Sequence, residues 1–203
     1  MAFVHLHVHS QFSLLDGAIP IKKLAPAAAA LGQSAVALTD HCNLYGAVTF
    51  HQSCKAAGVH PVIGAGLWVQ PEGVDYRDPR RAHGGYHLVC LVEDQRGYQN
   101  LCRLITDAIF DGMYYKPRVD LEQLQAHKDG LIFLTSGLRG PIRSAILHGH
   151  PEDARAQVQA LGERLGADRL FLELQDTGLA DEAALNRATR QLGQDLLRWA
   201  VQR

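Results

Sequence analysis

Short apolar runs alternate along this chain with stretches of helical periodicity, and that alternation restricts the fold more than any other feature. The runs are FVHLHVH from Phe3, SAVALT from Ser34, HPVIGAGLWVQ from His60, YHLVCLV from Tyr86, LIFLTS from Leu131 and LFLELQ from Leu170. Helical patterns fall around Ile21 to Leu31, Ala47 to Ala57, Arg96 to Phe110, Arg139 to Leu147, Pro151 to Leu165 and Asp181 to Leu197. Strand and helix in turn are the mark of βα units around a largely parallel sheet. The stretch from Pro71 to Gly85 is polar and punctuated by glycine and proline, and reads as a loop or hairpin insertion within one domain. With 203 residues the chain is long enough for one such domain with a sizeable core.

Two architectures satisfy this pattern, an open doubly wound sheet and a closed barrel. A nucleotide-binding open sheet calls for a glycine-rich first turn, and QFSLLDGAIP supplies only Gly17. We therefore expect a barrel-type α/β fold, in which reactive groups gather at the carboxyl ends of strands and in the loops that follow.

The first run carries His5, His7 and His9 at every second position, which on a strand places three imidazoles on one face and Val4, Leu6 and Val8 on the other. Asp16 follows in the next loop. SAVALT ends in Asp40 and His41, and YHLVCLV carries His87 near its start. Imidazole nitrogen and carboxylate oxygen suit zinc, manganese or iron, so a His-x-His pair with a carboxylate and a histidine from neighbouring strands can hold one or two such ions. Asp40 would orient a ligand from behind. His51, His60, His83, His127, His148 and His150 lack such partners and are expected to be ordinary helix or loop residues.

Composition excludes several classes. A net charge of −1 argues against strong backbone-driven nucleic-acid binding by this segment alone. Cys42, Cys54, Cys90 and Cys102 show no CxxC spacing, which fits reduced thiols better than disulfides. No leader pattern or membrane-length apolar run occurs, so the expectation is a cytoplasmic protein with no membrane partner. GMYYKPR, from Gly112 to Arg118, could stack on nucleic acid, but Tyr114 and Tyr115 are expected to pack this loop against the barrel.

The wording of HLHVHSQFSLLDGAIPIKKL, ALTDHCNLYGAVTFHQSCKAAGVHPVIGA, YHLVCLVEDQRGYQNLCRLI, GMYYKPRVD and FLELQDTG closely resembles one family. It is that of the polymerase and histidinol phosphatase (PHP) domain found at the amino terminus of bacterial DNA polymerase III alpha subunits. The resemblance runs from about Phe3 to Gly178. It implies a distorted (β/α)7 barrel whose metal-binding members hold up to three ions. Carried over by motif, the metal ligands are His7, His9, Asp16, His41 and His87, with His5 left out.

The departures are equally specific. Relatives with a full site carry a glutamate where VIGAGLWV has Gly66, and often a cysteine or histidine where LIFLTSGLRG has Gly137. A final DxH pair, borne on a strand after the helix from Asp181, is absent because the chain ends at LLRWAVQR, so the last strand is expected to be missing. A bridging carboxylate offsets the repulsion of two divalent ions about 3.5–4 Å apart, and its loss should weaken the centre sharply. The expectation is one weakly held zinc, manganese or iron ion, or none.

Residues 1–203 are thus expected to form a single PHP domain, an amino-terminal piece of a longer polymerase subunit with a structural and docking role in DNA replication. Its partners would be the remainder of the alpha subunit, the proofreading exonuclease subunit, and DNA through the parent polymerase. The competing readings are a metal-dependent phosphoesterase (3′-5′ exonuclease, pyrophosphatase or small-phosphate phosphatase) and the same domain of an error-prone polymerase.

Overall fold

The computed structural model describes residues 3–78, 85–196 and 199–201. Arg80, Arg81 and His83, which fall in the polar loop, lie outside the described residues. The strands are β1 (Ala35–Leu38), β2 (His60–Val69), β3 (Tyr86–Val92), β4 (Arg118–Val119), β5 (Leu131–Leu134), β6 (Leu170–Leu174) and β7 (Trp199–Val201). They form one curled sheet in the order β1-β2-β3-β5-β6-β7, with β4 beside the end of β2. The helices are α1 (Ile21–Ala30), α2 (Ala47–Ala57), α3 (Gln95–Phe110), α4 (Leu121–Ala126), α5 (Arg143–Leu147), α6 (Pro151–Leu165) and α7 (Glu182–Leu196).

The sheet is less parallel than the alternation suggested. β1 with β2, β5 with β6 and β6 with β7 are parallel, whereas β3 runs antiparallel to both β2 and β5. A parallel pair needs a crossover, usually helical, and no helix is present in the described part of the β2–β3 connection. The inversion matters for function. It brings the first residues of β3, His87 among them, to the end where the parallel strands finish, with His87 opposite Trp68 of β2.

Strand alternation separates two faces. Leu67, Leu88, Cys90, Phe133, Leu170 and Leu172 point outward into the main core, where they meet Leu101 and Leu104 of α3 and Val158, Leu161 and Leu165 of α6. The intervening residues Val89, Leu91 and Leu134 point inward and form a small apolar floor with Ala37 and Leu6. Each fully buried leucine contributes about 1.5–3 kcal/mol. By the same parity His87 and Glu173 face inward, beyond that floor.

Several expectations need correction. The first run is extended but forms no regular strand. Ala37 N donates to His5 O at 2.8 Å and Thr39 N to Val8 O at 2.8 Å, so acceptors three residues apart face donors two apart. The extra residue produces a bend at His7. Leu6 and Val8, expected on one face, consequently pack in different clusters, the inner floor and the α1–α2 core. The predicted helix from Arg139 is divided into a 3-10 turn, Gly137–Arg139, and α5, because Pro141 holds Gly140 extended (φ −80°, ψ 174°). A short last strand, β7, is present. The apolar Trp199–Val201 segment pairs with the free edge of β6, while β1 and β7 remain at the two ends of the sheet path.

Local chemistry accounts for the helices that frame this sheet. Asp94 caps α3 through Gly97 N at 2.8 Å. The Asp120/Gln123 capping box starts α4, a short helix that periodicity alone did not reveal. Pro26 inside α1 cannot donate to Lys22 O, and the Ser53 hydroxyl of α2 donates there at 3.5 Å.

Candidate functional site

The loop after the first run is tied down by Asp40. This buried carboxylate accepts from Ser10 N at 2.7 Å, Ser10 Oγ at 2.6 Å and Ser13 Oγ at 2.6 Å. Asp40 therefore shapes the loop that carries Asp16 and fixes Ser13, which in turn accepts from His41 N at 3.1 Å. Ser13 also bridges Asp40 to His9, its Oγ lying 3.0 Å from His9 Nδ1.

The five residues singled out as ligands are brought together, but they face one another. His7 Nε2 and His9 Nε2 are 3.0 Å apart, and His41 Nδ1 and His87 Nε2 are 3.1 Å apart. His41 Nε2 contacts Asp16 Oδ2 at 2.9 Å, and His87 Nδ1 contacts Ser136 Oγ at 3.1 Å. His9 Nδ1 contacts Ser13 Oγ at 3.0 Å.

The partners dictate the tautomers. The Asp16 carboxylate accepts from His41 Nε2–H. The lone pair on His41 Nδ1 then accepts from His87 Nε2–H, and the Ser136 hydroxyl donates to His87 Nδ1. Both imidazoles are satisfied as neutral rings. Burial acts in the same direction, pushing His41 below its ordinary range, His87 well below it and His9 down to about 3, assisted by the neighbouring imidazoles. The Ser13 hydroxyl gives its proton to Asp40 and so accepts from His9 Nδ1–H, leaving the His9 Nε2 lone pair turned to His7.

Two residues escaped the motif reading. Glu173, buried on the inward face of β6, sits 2.8 Å from His7 Nδ1. Gln175 donates to Glu173 Oε1 at 2.8 Å and lies 3.0 Å from His7 Nδ1. The signal was present in LFLELQ: a carboxylate at an inward position of a buried strand calls for a partner. Arg139 also went unassigned. Its guanidinium grips Asp16 with two hydrogen bonds, 2.8 Å to Oδ2 and 3.2 Å to Oδ1. That contact, chiefly, holds the Asp16 carboxyl down to about 2.

The two glycine positions explain this inward turning. A Cβ on Gly66 would stand 2.3 Å from His87 Cε1 and 2.4 Å from its Nε2, so the imidazole occupies the space a side chain there would need. A Cβ on Gly137 would lie 2.4 Å from Gln175 Oε1. His87 and Gln175 thus fill the directions in which additional ligands would project. The lone pairs of His41 and His87 are spent internally, and among the described residues no group of three or more His, Cys, Asp or Glu side chains is disposed to hold an ion. Cys42 is no substitute: its buried thiol leans on the carbonyl oxygens of Gly66 and Pro117, and burial pushes it up to about 11, away from the thiolate form a metal requires.

Beside the cluster opens a groove of about 1040 Å³ lined by Asp16, His41, Trp68, Lys116, Arg139 and Tyr45, among others. Lys116 Nζ lies 3.7 Å above the Trp68 ring. Of the two tyrosines expected to pack, Tyr114 does so beneath Arg77 and Arg118, whereas Tyr115 is exposed, with φ 58° turning it outward.

An inward-facing histidine cluster at one end of a curled α/β sheet defines the class, and sequence comparison specifies the family. The PHP domain family model matches residues 5–177, and the chain belongs to that family. It is 44% identical over 183 residues to the DNA polymerase III subunit alpha of Treponema pallidum, covering 90% of this chain and 16% of that protein. An error-prone DNA polymerase of Symbiobacterium thermophilum is 40% identical over 215 residues, with 97% and 18% covered. The chain therefore spans less than a fifth of these relatives' length. A structure assigned as a metal-dependent phosphoesterase from Bifidobacterium adolescentis superposes with a TM-score of 0.50 at 13% identity, covering 96% of each chain, and shares the fold. Among the described residues, no helix is long and apolar enough to cross a membrane.

Proposed function

We infer that residues 1–203 form a single PHP domain working as a structural and docking module at the amino terminus of a replicative DNA polymerase III alpha subunit in the cytoplasm. Its metal centre is degenerate. The observation that carries this reading is the occupation of the Gly66 and Gly137 side-chain directions by His87 and Gln175, which leaves an internally hydrogen-bonded cluster where an ion centre would have to open. His7, His9, Asp16, His41 and His87 are the remnant ligand set, able to hold at most one weakly bound zinc, manganese or iron ion. The remainder of the alpha subunit is the first partner, the proofreading exonuclease subunit a second, and DNA is reached through the parent polymerase.

The phosphoesterase reading draws support from one feature. Glu173 behind His7 Nδ1 is the kind of carboxylate that orients a metal-binding imidazole. The error-prone branch is set apart by nothing in the site.

The test is metal content by plasma mass spectrometry on protein purified without a histidine tag or chelator, beside the His7→Ala/His9→Ala variant. Metal below about a tenth of an equivalent, with no phosphoesterase activity above the variant, is the expected result. Near-stoichiometric metal that vanishes in the variant would overturn the degenerate-site reading in favour of the enzyme.

A further inference from the structure

The Asp16 carboxylate already has a cation. Arg139 meets it with two parallel N–H donors, and Nη1 of the same guanidinium lies 3.5 Å from His41 Nε2. A guanidinium is permanently charged and matches the two oxygens of a carboxylate in a way lysine cannot. We propose that Arg139 is the built-in cation of this centre, occupying the place at Asp16 and His41 that a divalent ion would need and so closing the site on itself. The inference rests on the reading that Asp16 and His41 are remnant ligands, and goes beyond it by naming what keeps the ion out.

The turn that delivers Arg139 is constructed for that position. Ser136 and Gly137 adopt consecutive left-handed conformations, φ 53° and 47°. Ser136 is a strained residue there, and its buried hydroxyl is held on His87. Gly137 leaves room for Gln175, which also contacts Glu173 and His7. Gly140 closes the turn where a Cβ would meet Thr135 O at 1.6 Å. Ser136, Gly137 and Gly140 thereby set the turn against the cluster and against Thr135 after β5, and Arg139 projects from it to grip Asp16. An ion entering beside Asp16 would face this fixed positive charge at contact distance and would have to expel it.

The decisive comparison is the affinity for Mn2+ and Zn2+, by equilibrium dialysis, of the parent, Arg139→Gln and Arg139→Met. The side chain is half-exposed, so both variants are expected to fold, as circular dichroism would verify. Removing the charge should raise the association constant at least tenfold, and adding Asp16→Asn to either variant should abolish the gain. Unchanged or weaker affinity in both variants would overturn the proposal. Were neither variant to fold, NMR of the parent titrated with diamagnetic Zn2+ would decide. Ion entry at Asp16 with the Arg139 side-chain signal unmoved contradicts the proposal, and entry only as that signal shifts agrees with it. Tight stoichiometric metal in the parent would instead sink the degenerate-site reading, a separate outcome.

Discussion

His87 lies diagonally across the β2–β3 ladder from Gly66, on the same face, so close that the imidazole stands where a side chain on residue 66 would begin, 2.3 Å from an ideal Cβ. The ring cannot slide away freely, since it is held by His41 on one nitrogen and Ser136 on the other. Gly66→Ala should therefore cost about 1–3 kcal/mol, as overpacking does at a rigid site. A urea titration that leaves the midpoint of Gly66→Ala at the parental value would show that the ring is not fixed there.

Asp40 anchors the loop that presents Ser13 and Asp16. Alanine would strand two hydroxyls and a backbone N–H in a site only 1% exposed. The expected loss is about 3–5 kcal/mol, read as a lower denaturation midpoint with unchanged slope. A loss below about 1 kcal/mol would mean that the loop is held by other contacts.

Acid should weaken the fold from about pH 6.5 downward. His9, His41 and His87 are all lowered in the folded protein, so the unfolded chain takes up protons first. Their contribution is fully present above the unfolded value and is lost as pH falls towards the folded values, about 3 for His9. Asp16, also lowered, loses its contribution in the same direction, below the ordinary carboxylate range. Three such histidines imply a fall of roughly 5–10 °C in unfolding temperature between pH 7 and 5.5. A flat profile over that interval would show that these rings are not held neutral.

Chelation should do little. The contacts of His41 with Asp16 and His87, and of His87 with Ser136, are made without an ion, so EDTA treatment followed by dialysis is expected to move the unfolding temperature by less than about 1 °C. A drop of several degrees, restored by Zn2+ or Mn2+, would reveal a structural ion at the His7 and His9 pair.

The chain's local chemistry displayed much of this design in advance. Alternating apolar runs announced the βα architecture, and the motifs of the family resemblance picked out His7, His9, Asp16, His41 and His87, side chains that do converge. The capping pair Asp120 and Gln123 was equally legible, though its helix was overlooked. Such features depend on residues near one another in sequence, where spacing and side-chain type carry the information.

What the five residues contact once assembled was not legible, because the deciding contacts are long-range. Asp16 and Arg139 are 123 positions apart, and His7 and Glu173 are 166 apart. Gly66 and Gly137 could be read as losses, but not that His87 and Gln175 fill the space, since that depends on β3 running antiparallel and on a left-handed turn after β5. Residue types and their order thus determined the family of fold and the composition of the cluster. Only the tertiary structure decided that its lone pairs and charges are spent on one another, because a hydrogen bond depends on where two groups meet in space and not on their separation along the chain.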